Sequence, residues 1–415
     1  MRKIFSLRIA FLLVLVAFAV EGCLGIGGSS GGGNQGNFKT ETTGNGQKIS
    51  VNQASQALFK GKIYFTQNRN LLVLNGTRNV TQLTHGQDVR DPAVSPDGKW
   101  VAFDVRFGDS ANLVYMPANG GPEHVLINGN GHYWTNSGGF PEDDYYWFAQ
   151  PTWSDDTHLT FLSDFQKNFD WAQLGGDFAS APFVDMQIFS ISINYTNLTG
   201  AEGKADSQIV AYADYGDGGD RDPMYRPGHP TQLIYTHYTY DKTGTNQVIQ
   251  LFFEDATAIA KHPGMYSPGV EGSGLDPAVA LTPPDVECIE PAFSPDGNWI
   301  AYIRRNPSTN SMGLYVMPMP SGDLTSNPNT PATEKAALAS YPASSLIIQG
   351  QYISQPVWSP DGKQIAFLSY NNDEFDIWLA NVSLNPKTGK YAMQGSPIQL
   401  TQGGVDADSR PFWTP

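Results

Sequence analysis

The hexapeptide SPDGKW begins at Ser95 and recurs as SPDGNW at Ser294 and as SPDGKQ at Ser359. Each copy places a serine hydroxyl two residues before an aspartate carboxylate, and these groups can serve as a nucleophile and its base. Proline also suits the second position of a type I turn, aspartate tolerates the third, and glycine takes the residue that follows. We therefore predict that these side chains cap a turn through hydrogen bonds to the backbone and perform no catalysis.

Other catalytic patterns are sparse. The nucleophile-elbow pattern G-x-S-x-G matches only at Gly27 to Gly31, in a glycine-rich stretch where neither a strand nor a helix is predicted to present the serine. The sequence contains no H-E-x-x-H, C-x-x-C or P-loop pattern, and its seven histidines show no ligand spacing. Of the two cysteines, Cys288 lies in an apolar, strand-like context and is predicted to be buried. These patterns disfavour an enzyme.

An acidic loop is a candidate calcium site. Four aspartates alternate with glycines between Ala213 and Arg226, namely Asp214, Asp217, Asp220 and Asp222. Calcium prefers several oxygen ligands supplied by a flexible loop, although this spacing differs from that of an EF-hand. The alternative is a solvated, glycine-rich turn.

The elements around these residues are strands. Apolar and polar residues alternate on both sides of each turn motif, which predicts repeated strand–turn–strand units. The units are PAVSPDGKWVAF at Pro92, PTWSDDTHLTFL at Pro151, a degenerate RPGHPTQLIYTHY at Arg226, PAFSPDGNWIAY at Pro291, PVWSPDGKQIAF at Pro356 and a truncated RPFWTP at Arg410. Two more strand-like runs follow each complete unit, and four strands per unit is the blade of a β-propeller. We expect the C-terminal strand to join the strands from Lys62 to Thr84, closing a ring of six blades.

The repeated pattern P-x-W-S-P-D-G-K-x-I-A-F resembles that of the TolB-like propeller family, which is also seen in prolyl oligopeptidase-type enzymes. The resemblance implies an all-β, six-bladed propeller over residues 60–415. TolB carries an α/β domain before its propeller, and we expect that domain to be missing here, because only the predicted tether precedes the propeller. Because the sequence ends directly after the closing strand, we expect no hydrolase domain of the kind that follows the propeller in those peptidases. Some polysaccharide lyases resemble the same propeller and hold a metal through histidines near the axis.

The N-terminus predicts export. Basic residues precede an apolar run from Ile9 to Val20, which is too short to span a bilayer but suits a signal peptide. The following VEGC resembles the lipobox of prokaryotic lipoproteins, which implies cleavage after residue 22 and lipidation of Cys23. Residues 23–59 are predicted to be a flexible tether. The protein is thus expected on the membrane, at its periplasmic or extracellular face. A net charge of -15 disfavours a nucleic-acid partner.

Two sets of residues are candidates for binding. Long insertions at Asn128 to Gln150 and from Asp164 are predicted to lie on one face and are rich in aromatics, among them Trp134, Tyr145, Tyr146, Trp147 and Trp171. Such rings can bind sugars or extended peptides, or they can pack together as a small core. The residues before each inner-strand proline are predicted to line the mouth of the axial channel: Asp91, Gln150, Arg226, Glu290, Gln355 and Arg410. Arg226 and Arg410 could bind a carboxylate there.

The sequence therefore predicts a non-enzymatic, membrane-anchored lipoprotein whose propeller binds an envelope protein or peptide, with no required cofactor. Two alternatives remain: a carbohydrate-binding propeller, and a metal-assisted polysaccharide lyase or hydrolase. The step from the propeller to partner binding is an analogy at the level of the fold.

Overall fold

The structure is a computed structural model. It describes residues 37–44, 46–135, 141–165, 185–195, 198–199, 208–211, 218–241, 243–257, 278–324 and 330–415. Antiparallel strands dominate these residues, and their sheets form a β-propeller.

Three sheets belong to the first half of the ring. The first contains β31 (Phe412–Thr414), β3 (Lys62–Gln67), β4 (Asn70–Asn75) and β5 (Val80–Gln82). The second contains β6 (Val89–Val94), β7 (Trp100–Arg106), β8 (Ala111–Pro117), β9 (His124–Asn128) and β15 (Leu198–Thr199). The third contains β12 (Phe148–Trp153), β13 (His158–Ser163), β14 (Gln187–Ser192) and β16 (Gln208–Ala211), and a separate hairpin pairs β10 (Asn130–Thr135) with β11 (Pro141–Tyr145).

Three further sheets follow. The fourth contains β17 (Asp220–Arg226), β18 (His229–Tyr240), β19 (Gln247–Asp255) and β20 (Val279–Ala280). The fifth contains β21 (Glu287–Phe293), β22 (Trp299–Asn306), β23 (Ser311–Pro318) and β24 (Ser345–Gly350). The sixth contains β25 (Ile353–Trp358), β26 (Gln364–Asn371), β27 (Glu374–Asn385), β28 (Lys390–Met393) and β29 (Ile398–Gln399). Before β24 lie the helix α1 (Pro331–Leu338) and a short 3-10 turn (Tyr341–Ala343), and a second such turn (Ser55–Ala57) precedes β3.

The prediction of six blades is wrong, because the described residues form seven sheets of three or more strands. The seventh sheet joins β1 (Phe38–Thr42) and β2 (Lys48–Asn52) to β30 (Thr401–Gln402). Ile49 and Val51 of β2 are fully buried, in a cluster shared with the first and sixth sheets. Part of the predicted tether is therefore structured, and the propeller begins before residue 60.

Closure by the C-terminal strand is confirmed. β31 pairs with β3 in antiparallel register, with Ile63 opposite Trp413 and Tyr64 opposite Phe412. The indole N–H of Trp413 donates to the carbonyl oxygen of Lys60 at 2.7 Å. Pairing between strands about 350 positions apart in sequence therefore joins the two ends of the propeller.

The capping role of the SPDG motif is also confirmed. Ser95 Oγ donates to Asp97 Oδ1 at 2.7 Å and accepts from the Trp100 N–H at 3.0 Å. The copies at Ser294 and Ser359 form the same pair of bonds. The glycine after each aspartate has φ between 67° and 71°, a left-handed conformation that glycine adopts without strain. Outside the motif, Cys288 is buried as predicted.

Candidate functional site

Five inner strands share an unusual backbone feature near the axis. In each, the residue before a proline has a left-handed φ between 48° and 57°, and the pairing register shifts at that point. These residues are Asp91, Gln150, Asp222, Glu290 and Gln355. Left-handed conformations strain residues that carry a Cβ, and such strain clusters at functional sites. The bulges redirect these side chains toward neighbouring blades. We call these five residues, together with Arg410, the axial mouth.

The structure corrects one predicted mouth residue. Asp222, and not Arg226, precedes the inner-strand proline of the fourth sheet and has the left-handed φ. Arg226 lies at the far end of β17, where its Nε donates to the Gly297 carbonyl at 2.8 Å. Of the other five predicted residues, Arg410 bonds to Asp91, Gln355 bonds to Glu290, and Gln150 bonds to Asp222.

Hydrogen bonds link the mouth from blade to blade. The backbone N–H of each mouth residue donates to a side-chain oxygen of an adjacent blade or of the segment before β31. At the five bulged positions, the bulge removes that N–H from its own sheet ladder. The bonds are Gln150 N to Asp104 Oδ1 at 3.2 Å, Asp222 N to Gln150 Oε1 at 2.7 Å, Glu290 N to Thr236 Oγ1 at 3.0 Å, Gln355 N to Glu290 Oε2 at 2.5 Å, Asp91 N to Ser409 Oγ at 2.9 Å and Arg410 N to Asp91 Oδ1 at 2.8 Å.

One arginine neutralises several acids beside the mouth. Arg106 donates to Asp104 Oδ2 at 2.9 Å, to Asp408 Oδ2 at 3.0 Å and to Asp91 Oδ2 at 3.1 Å. Burial raises the pKa of both Asp91 and Asp104, and the charge of Asp104 raises that of Asp91 further. Arg106 opposes both shifts. This side of the mouth is a dense charge network in which Asp91 and Asp104 are buried while Asp408 is exposed.

The opposite side of the mouth is acidic and incompletely bonded. Burial and the nearby Asp222 raise the pKa of Glu290, while the charge of Arg410 lowers it. Arg410 and Gln355 are only 6% and 7% exposed. Within the described residues, Nη1 of Arg410 and Oε1 of Gln355 have no hydrogen-bond partner. A buried donor and a buried acceptor therefore both remain unsatisfied near Glu290, an arrangement that is costly unless a ligand or water completes it.

Exposed aromatic rings lie on the same face as the mouth. Tyr352 precedes β25 and Tyr370 lies near the end of β26, and their rings meet edge to face at 5.6 Å between centroids. The ring of Phe375 lies 5.2 Å from that of Tyr370. Both tyrosines are more than 40% exposed. The sequence-based prediction did not include this pair, because both tyrosines lie outside the long aromatic insertions.

The structure describes some of the rings of the predicted aromatic face. Tyr145 is exposed, but Tyr146 is buried against Phe165 at 4.7 Å between centroids, and Trp147 packs at the edge of a core cluster. Tyr146 thus belongs to a core, which was the alternative considered for these rings. The side chain of Trp134 and all of Trp171 lie outside the described residues.

Only two of the four aspartates of the predicted acidic loop lie within the described residues, and they have different surroundings. Asp214 and Asp217 lie outside the described residues, as does Cys23. Asp220 is buried and lies 2.8 Å from His237 Nδ1, whereas Asp222 belongs to the mouth. Across the described part of the chain, no three His, Cys, Asp or Glu side chains converge on a metal-binding geometry. No helix of that part is long and apolar enough to cross a membrane.

Comparisons with known proteins show the fold. No protein-family model matches the sequence, and no curated protein matches it significantly. TolB from Acinetobacter baumannii is similar in structure, with a TM-score of 0.50 and 14% identity over 85% of this chain. The chain spans 66% of the TolB chain. An oligogalacturonate lyase from Vibrio parahaemolyticus matches with a TM-score of 0.38 and 14% identity, over 86% of this chain and 84% of that one. The chain therefore has a TolB-like β-propeller fold, and identities this low indicate nothing about activity.

Proposed function

We propose that this protein is a non-enzymatic envelope lipoprotein whose propeller binds a protein or peptide partner at the axial mouth. Lipidated Cys23 anchors it to the membrane, with the propeller on the periplasmic or extracellular side. The signal-peptide pattern and the lipobox-like VEGC support the anchor. This role requires no cofactor, and calcium binding by the acidic loop is a separate hypothesis.

The observation that carries the proposal is the pair of unsatisfied atoms at the mouth. Arg410 offers a donor and Gln355 an acceptor, both close to Glu290 and both almost fully buried. A peptide bond supplies the complement, since its carbonyl accepts and its N–H donates. Because the bulged strands fix the surrounding side chains in advance, the propeller itself loses little conformational entropy when a chain segment binds.

Removing the acceptor at the mouth tests this role. We expect Gln355→Leu to reduce partner binding about tenfold, because the partner N–H is then left buried without an acceptor. The measurement is quantitative mass spectrometry of proteins captured with the anchored protein from cross-linked envelopes. Gln349→Leu is the matched control, because Gln349 lies on β24 away from the mouth. Equal capture by the two variants would count against peptide binding at the mouth.

The exposed tyrosines favour carbohydrate binding as a second candidate function. Sugar rings pack on aromatic faces, and Tyr352 and Tyr370 present such faces beside the mouth. If the propeller binds a glycan, we expect Tyr370→Ala to lower the affinity about five- to tenfold. Titration of the purified protein with envelope polysaccharides measures this, with Tyr195→Ala as the control. Tyr195 is equally exposed but follows β14, at the turn between the third and fourth strands. The same affinity in both variants would rule out this platform.

A further inference from the structure

A cavity lies at the end of the inner strands opposite the axial mouth. It has a volume of about 380 Å³, within the range of small-molecule sites. Its rim is built largely from the prolines of the turn motifs, among them Pro96, Pro295 and Pro360, together with Pro227 of the fourth sheet. The repeated motif thus shapes an apolar opening as well as capping the turns.

The walls of the cavity are rigid aromatic rings. Trp153, Phe293 and Trp358 are each the last residue of an inner strand, and all three line the cavity. The indole N–H of Trp153 donates to the Ala93 carbonyl at 2.9 Å, and that of Trp358 donates to the Ala292 carbonyl at 3.2 Å. These bonds to neighbouring blades hold the rings in place, so the cavity is formed before any ligand arrives.

Arg226 supplies the only charged side chain among the residues that line this cavity. Its stem lies against Gly297, while Nε donates to the Gly297 carbonyl at 2.8 Å and Nη1 donates to Gln232 Oε1 at 2.9 Å. No carboxylate of the described residues forms an ion pair with it. Two bonds to neutral oxygens thus fix the guanidinium at the cavity and leave Nη2 available to an anion.

We propose that this cavity binds a compact apolar molecule that carries one carboxylate. The apolar body packs among the proline and tryptophan rings, and the carboxylate binds Arg226. Local charge complementarity supports this choice, because the Arg226 guanidinium forms no ion pair among the described residues and a carboxylate matches its donor geometry. The site is independent of the axial mouth and of the partner proposed for it.

The test is calorimetric titration of the purified propeller with 3-phenylpropionate and with its neutral amide. We expect saturable binding of the acid, with the amide at least about tenfold weaker because it lacks the charge that Arg226 recognises. Arg226→Gln should weaken the acid about tenfold and leave the amide unchanged, and Arg226→Lys should recover part of the loss. Ser154→Phe, which fills the cavity from its wall, should abolish binding of both compounds.

The control is Gln355→Leu, which alters the axial mouth and should bind the acid as the wild type does. Absence of saturable binding, equal affinity for acid and amide, or unchanged binding by a folded Ser154→Phe protein would each overturn the proposal. If Ser154→Phe fails to fold, the Arg226 variants still decide the matter, since Arg226 is partly exposed and its replacement opens no internal cavity.

Discussion

Replacing Arg106 with methionine is expected to lower the free energy of unfolding by about 3–5 kcal/mol at pH 8. Arg106 bonds to Asp91, Asp104 and Asp408, and the first two carboxylates are almost fully buried. Methionine preserves the apolar stem but removes the only cation that bonds directly to both buried carboxylates among the described residues, leaving the weaker influence of Arg90 and Arg410. Breaking a buried ion pair by removing one partner is costly for that reason.

The stability that Arg106→Met loses relative to the wild type should become smaller as the pH falls. Burial raises the pKa of Asp91 to about 7, so the folded state holds a proton that the unfolded chain releases near pH 4. A carboxyl whose folded pKa is raised contributes stability that is lost as the pH rises through that value. Without Arg106 the raised pKa values move higher still, which makes this dependence steeper.

Urea denaturation of both proteins between pH 4.5 and pH 8 measures the effect. Arg305→Met is the control, because Arg305 and Glu287 form an exposed pair at 3.2 Å. We expect that variant to lose less than about 1 kcal/mol. A loss in Arg106→Met that does not change with pH would contradict the account of a buried charge network.

Replacing Trp413 with alanine is expected to destabilise the propeller by about 3–5 kcal/mol. Trp413 packs edge to face on Phe59 at 5.8 Å between centroids and donates to the Lys60 carbonyl. Since β31 is only three residues long, this side chain contributes much of the contact that closes the ring. Its removal leaves a cavity and exposes an unpaired strand edge.

Chemical denaturation with limited proteolysis measures this effect. We expect the variant to be cleaved first near its C-terminus, because the last strand detaches before the remaining sheets unfold. Trp100→Ala is the control, since Trp100 is half-buried and lies outside the closing sheet. An equal loss of stability in the two variants would show that ring closure does not depend on Trp413.

Local chemistry explains what the sequence predicted well. The SPDG turns depend on a serine and an aspartate two residues apart, so their caps follow from neighbouring residues alone. Five mouth residues followed from the same repeat. The prediction of Arg226 as the sixth mouth residue was wrong. Asp222-Pro223 and Arg226-Pro227 lie four residues apart, and both fit the pattern. The bulge that selects Asp222 depends on packing between blades, which the pattern does not reveal.

Long-range pairing explains what was missed. Strands β1 and β2 carry no turn motif, and β2 completes its sheet only by pairing Ser50 with Gln402 and Val51 with Thr401. The Tyr352–Tyr370 contact likewise depends on two neighbouring strands meeting at one edge of their sheet. The Trp-lined cavity arises where inner strands from different blades converge. The strand and tyrosine pairings have no periodic signature in the sequence, and the motif residues that line the cavity repeat in the sequence without showing that they converge.

The central claim is that a protein or peptide partner binds at the axial mouth, and site-specific photo-cross-linking in intact cells tests it most directly. A benzophenone amino acid replaces Tyr352, beside the mouth, or Tyr195, at a turn of the opposite face; both tyrosines are exposed. We expect one discrete cross-linked protein from position 352, lost when Gln355→Leu is added, and none from position 195. No discrete product, or the same product from both positions, would contradict partner binding at the mouth.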